Sequence, residues 1–116
     1  MSAQQWVALG VFVLVGALAW SRSSGAADPP ATAHTVVEAG GALVDVRTPE
    51  EFAAGHLPGA TNIPLGEISA RYREIGEPSR PVVVYCKSGM RSAAAATELR
   101  SRGFVQVVDL GGMGNW

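Results

Sequence analysis

Cys86, Lys87, Ser88, Gly89, Met90 and Arg91 form the stretch of this chain whose residue types best suit chemistry. They follow an apolar run, Pro81-Val82-Val83-Val84-Tyr85, and lead into an alanine-rich stretch from Ser92 to Arg102. The chain's only cysteine therefore falls at a strand-to-helix turn. Backbone N–H groups of such a turn, and of the helix N-terminus behind it, point inward and carry partial positive charge, so they favour an anion at the centre. For a cysteine that anion is its own thiolate. Lys87 and Arg91 add cationic charge, and surroundings of this kind lower a thiol pKa and make the sulfur a nucleophile. Gly89 supplies the positive φ that a tight turn requires. The plainer reading of a lone cysteine is a small buried hydrophobe. Against it stands Arg91, predicted in the first helical turn where the helix dipole disfavours a cation; a residue that breaks a local rule marks a site. Ser92 reads as a helix cap or first-turn hydroxyl.

Four further stretches accompany this loop: Asp45-Val46-Arg47-Thr48-Pro49-Glu50-Glu51-Phe52, then Gly55-His56-Leu57-Pro58-Gly59-Ala60, then Asn62-Ile63-Pro64, and finally Gly111-Gly112-Met113-Gly114-Asn115-Trp116. In this order, with Cys86-x-x-Gly89-x-Arg91-Ser92, they resemble the single-domain rhodaneses, which are thiosulfate sulfurtransferase-like, over residues 43–116. The resemblance implies an α/β fold, a small open and mainly parallel sheet flanked by helices. It also implies sulfur transfer through a persulfide on Cys86, from a small sulfur-containing anion such as thiosulfate or a persulfide donor to a thiophilic acceptor, which could be a protein. Lys87, Ser88, Gly89, Met90 and Arg91 would then bind the donor, Asp45 and Arg47 would support the site, and no cofactor would be needed. Two other readings compete. A membrane-tethered persulfide carrier or interaction module would keep the same loop. A cysteine-dependent phosphatase or arsenate reductase would need one more residue between cysteine and arginine than the four present here.

Composition narrows the field. The 116 residues carry nine basic and ten acidic side chains for a net charge of −1, interspersed rather than clustered, so no nucleic-acid surface is expected. One cysteine and two distant histidines, His34 and His56, give no metal-ligand spacing, and no metal is expected.

The elements that must position the loop alternate in type. Thr32 to Ala39 is predicted as a short helix, Ala42 to Val46 as a buried strand, and Pro49 to Gly55 as a helix capped by Thr48 with Glu50 and Glu51 in its first turn. Thr61 to Ile63 follows as a brief strand, Ile68 to Ile75 as a short helix, and Val82 to Tyr85 as the central strand. Arg91 to Arg102 reads as the next helix and Val105 to Leu110 as the last strand. Such alternation implies a parallel sheet whose ligands bind beyond the carboxyl ends of its strands, where Cys86, Asp45 and Arg47 all fall. Asp45 is expected to hold its loop through backbone hydrogen bonds, and Arg47 to pair with Glu51 or a neighbouring carboxylate. His56 reads as a turn residue, and Met113 and Trp116 as cover for the core.

The N-terminus is expected to be a separate hydrophobic helix over residues 1–21, joined by a linker over 22–31 to a domain at 32–116. Trp6 to Trp20 holds fifteen residues without a charge, bracketed by tryptophans suited to membrane interfaces. No Lys or Arg precedes it, whereas Arg22 follows it, which predicts an uncleaved single-pass anchor with the domain facing the cytoplasm. The alternative is export to the periplasm, since Gly25-Ala26-Ala27 resembles a signal-peptide cleavage site.

Overall fold

In the computed structural model, which describes residues 27–116, the sheet is built around strand β3 (Val82–Cys86), buried at every position. Its unbroken apolar run fits that place, because an inner strand of a parallel sheet is covered on both faces. The other strands are β1 (Ala42–Asp45), β2 (Thr61–Asn62) and β4 (Val107–Gly112), in the order β2-β1-β3-β4 with every pairing parallel. The chain goes from β1 to β2 on one side, then returns to β3 on the other. The crevice beyond the carboxyl ends of β1 and β3 is therefore the point where the winding reverses, and such points are where ligands bind.

Four helices cover the sheet: α1 (Pro30–Glu38), α2 (Pro49–Ala54), α3 (Ile68–Arg71) and α4 (Met90–Ser101). The two-residue period of β3 sorts the core. Val82, Val84 and Cys86 face one cluster with Ile68, Ala95, Ala96 and Leu99, whereas Val83 and Tyr85 face another with Ala33 and Val36. Cys86 thus lies on the face that α3 and α4 cover. Met113 and Trp116 pack against the second cluster, and His34 stacks on Trp116 at 3.8 Å.

Most elements lie within a residue or two of their expected bounds, and two differ in a way that matters. The helix expected over Ile68 to Ile75 breaks after Arg71 into a 3-10 turn, Tyr72–Glu74. The last strand starts at Val107, because Val105 is 80% exposed and its N–H donates to Pro78 O outside the ladder. It also runs on past Leu110. The register shifts between Val84 and Tyr85, leaving Leu110 as the extra residue and pairing Tyr85 with Gly111 and Cys86 with Gly112. Gly111 takes φ +81°, which a side chain would resist. The hydrophobic helix expected over Trp6 to Trp20 lies outside the described residues; among those described, no helix is long and apolar enough to cross a membrane.

Candidate active site

Cys86 ends β3 with none of its surface exposed, and the chain turns at once through Lys87 and Ser88 into α4. Gly89, at φ +104°, makes the turn. This conformation brings the Gly89 N–H to 2.9 Å from Cys86 Sγ. Ser92, wholly buried in the first turn of α4, places its Oγ 3.5 Å from the same sulfur and 3.1 Å from Gly89 O. Burial pushes the Cys86 pKa up. Hydrogen bonds from the Ser92 hydroxyl and from the backbone at Ser92, Gly89 and Ser88 outweigh it and hold the thiol below its ordinary value. The turn therefore favours the thiolate form of the sulfur it encloses.

The two loop cations are placed differently. Lys87 is exposed, with no ion-pair partner among the described residues. Arg91 is held from across the site by Glu51 of α2, in a two-pronged contact of 2.6 and 3.0 Å. The same Glu51 Oε1 accepts the Thr48 N–H at 3.1 Å while Thr48 Oγ1 accepts the Glu51 N–H at 3.2 Å, a capping box that opens α2. Hydrogen bonding to Arg91 first, and to Thr48 second, holds the Glu51 carboxyl down to about 2. One carboxylate thus starts a helix and clamps the cysteine loop, and it offsets the unfavourable dipole at Arg91. Met90 stands on the rim, 82% exposed.

Asp45 ends β1, and Arg47 follows two residues on. The Asp45 carboxylate accepts Arg47 Nη2 at 2.6 Å and the Arg47 backbone N–H at 2.9 Å, and Arg47 Nη2 donates on to Gly55 O at 2.7 Å. Both side chains are buried, and the pair ties the end of β1 to the end of α2. Arg47 therefore pairs with Asp45 and leaves Glu51 to Arg91. Arg47 also lies over the Tyr85 ring at 5.8 Å, and the Tyr85 hydroxyl accepts the Leu57 N–H at 3.1 Å. His56 is exposed, stacked on Phe52 at 3.7 Å with Nδ1 2.9 Å from Phe52 O.

The structure thus gathers Cys86, Ser88, Gly89 and Arg91 at one end of the sheet, with Asp45 at the end of the neighbouring strand and Arg47 just past it. It adds two residues that sequence reasoning gave other work. Glu51 is explained locally by its cap, so nothing marked its contact with a residue 40 positions on. Ser92 reads from sequence as a helix cap or first-turn hydroxyl; it lies in the first turn of α4, and its contact with the sulfur is what the sequence did not mark.

A sulfurtransferase of Allochromatium vinosum is 44% identical over 75 residues, covering 64% of this chain and 69% of the relative. A putative sulfur carrier protein of Bacillus subtilis, YrkF, is 39% identical over 75 residues and 64% of this chain, which spans 40% of the carrier's length. Among solved structures, a rhodanese with anions from E. coli superposes with a TM-score of 0.62 at 34% identity, covering 65% of this chain and 89% of that one. The family model of the rhodanese-like domain matches residues 30–116, which take in every described strand and helix and the cysteine turn. With that match and a parallel sheet carrying its cysteine in an amide-lined turn, the chain belongs to the rhodanese-like domain family.

Proposed function

We propose that this protein is a sulfurtransferase that carries sulfane sulfur on Cys86 as a persulfide. Family membership supports a sulfurtransferase-type function, and the observation that carries the finer reading is the Gly89 N–H at 2.9 Å from a fully buried Sγ. A cradle that stabilises one sulfur anion can stabilise the next. The Cys86 thiolate attacks the outer sulfur of thiosulfate; the new S–S bond forms as the bond to the sulfonate sulfur breaks, and its electron pair leaves on sulfite. The terminal sulfur then carries the negative charge, where loop amides act on it as they would on an oxyanion. An acceptor thiolate attacks that sulfur, takes it as a new persulfide, and returns Cys86 as thiolate. Lys87, exposed at the mouth, attracts an anionic donor. Arg91, already paired with Glu51, shapes the loop as well as adding charge.

A carrier that receives sulfur from one protein and hands it to another is a second reading, favoured by the full burial of Cys86 and by the likeness to the putative carrier. Both readings need the persulfide. Cys86→Ser should abolish thiosulfate-to-cyanide transfer, because a serine hydroxyl is neither ionised nor able to hold a transferable sulfur. Activity within about tenfold of wild type, only about 1.4 kcal/mol of barrier, would overturn the assignment. Turnover separates the readings: an enzyme cycles with small donor and acceptor alone, whereas a carrier stops after one sulfur.

A further inference from the structure

The peptide unit joining Lys87 to Ser88 is planar and trans, so its carbonyl and its N–H point in opposite directions. The carbonyl is packed against the end of β4. A Cβ built on Gly112 would lie 2.7 Å from Lys87 O, 3.5 Å from Lys87 C and 4.0 Å from Ser88 Cα, and Cβ atoms essentially never come as near as the first of these. With the carbonyl turned to Gly112, the Ser88 N–H is turned to the opposite side. Ser88 backbone hydrogen bonding is indeed among the influences that hold the Cys86 thiol down. We propose that Gly112 is a positioning residue for Cys86: its bare α-carbon seats the Lys87 carbonyl and thereby aims the Ser88 amide at the sulfur.

Three features bring Gly112 to that place. The bulge at Leu110 resets the register so that Gly112, rather than Gly111, lies opposite Cys86. Gly111 makes the bend at φ +81°, its N–H held by Asp109 Oδ1 at 2.9 Å. Asn115 Nδ2 braces the same turn by donating to Leu110 O at 3.0 Å. The two glycines then do different work. Gly111 serves by its conformation. Gly112, at φ −75° and ψ 148°, has a backbone that any residue adopts, so what it supplies is space. A methyl group there must push the Lys87 carbonyl away, which rotates or displaces the amide on the other side of the same peptide.

The sulfur-transfer reading enters only where turnover is concerned, because the thiolate can be measured without a donor. Gly112→Ala should be compared with wild type and with Gly114→Ala, whose added methyl meets nothing within 4 Å. After circular dichroism has established folding, the rate of Cys86 alkylation by iodoacetamide is followed against pH. We expect Gly114→Ala to match wild type and Gly112→Ala to react about tenfold more slowly at pH 7, with its midpoint moved up toward that of an ordinary thiol. A folded Gly112→Ala with the wild-type pH profile would overturn the proposal. Should that variant not fold, wild-type protein decides: the Ser88 amide proton resonance should titrate with the Cys86 midpoint alongside that of Gly89, and a Ser88 resonance that ignores Cys86 ionisation would sink the idea. A shifted profile in a protein that moves no sulfur would leave the positioning role standing and defeat the sulfurtransferase reading instead.

Discussion

Ionising Cys86 obliges one hydroxyl to choose between two acceptors. Ser92 Oγ lies 3.1 Å from Gly89 O and 3.5 Å from Cys86 Sγ, yet it has a single proton to give. While the sulfur is a thiol, its S–H can donate to Ser92 Oγ and the Ser92 proton can stay on Gly89 O. Once the sulfur is a thiolate, the Ser92 proton does more good on the charge. A hydrogen bond to a charged group contributes about 1.5–3 kcal/mol and a neutral one about 0.5–1.5, so the exchange favours the thiolate by roughly 1 kcal/mol. Ser92→Ala should therefore raise the Cys86 pKa and slow alkylation below neutral pH about fivefold, with Ser92→Thr recovering part of the loss. Equal alkylation rates in wild type and Ser92→Ala from pH 6 to 8 would remove the hydroxyl from the site. The sequence marked this residue as a first-turn hydroxyl; its contact with the sulfur is what the sequence did not mark.

At the scale of elements, α2 and the cysteine loop are joined through one carboxylate, and the joint has a pH signature. The folded-state pKa of Glu51, about 2, is depressed below the ordinary value of 4.5, chiefly by its hydrogen bond to Arg91. A depressed carboxyl contributes stability above its unfolded pKa and loses it as pH falls through its folded one, here between about 4.5 and about 2. Glu51 and Arg91 remain a third exposed, so the contribution is a modest one, screened by solvent. Glu51→Gln should lower Tm measurably at pH 7, and the difference from wild type should shrink steadily as pH is brought from 5 toward 2.5. A difference as large at pH 2.5 as at pH 7 would mean that the clamp is not ionic. This clamp separates what the sequence disclosed from what it hid. The Thr48 capping box was legible because its partners lie three residues apart, whereas Glu51 and Arg91 are 40 positions apart and meet only through the folded sheet. The strand–turn–helix around Cys86 was equally legible, from an apolar run, a glycine and an alanine-rich stretch. The end of β4 was not, because two glycines carry no strand signal and their place beside Cys86 comes from a one-residue bulge.

Across the whole molecule, the described chain begins beside β4, the strand that pairs with the end of β3 at Cys86. The Asp28 N–H donates to Asp109 O at 2.7 Å, and Asp28 Oδ2 accepts the Asp109 N–H at 2.8 Å, which fastens the entry to the domain along β4. Asp109 in turn holds Gly111, the bend before Gly112. The compartment the domain occupies would decide the fate of the sulfur. A lone thiol with a lowered pKa is readily oxidised or captured in mixed disulfides in an oxidising space, whereas cytosolic reductants keep returning it to the thiolate. Arg22, following the uncharged Trp6–Trp20 segment with no basic residue before it, argues the same way by the positive-inside tendency. We propose an uncleaved anchor over Trp6–Trp20 with the domain on the cytoplasmic side. Alkaline phosphatase fused after Trp116 should then be inactive and a fluorescent protein fused there bright, with the protein recovered in the membrane fraction at full length. Active phosphatase, or a mature chain beginning near Asp28, would reverse the topology. The sulfurtransferase reading would survive that reversal, but Cys86 would then need a reductant delivered to it after every oxidation.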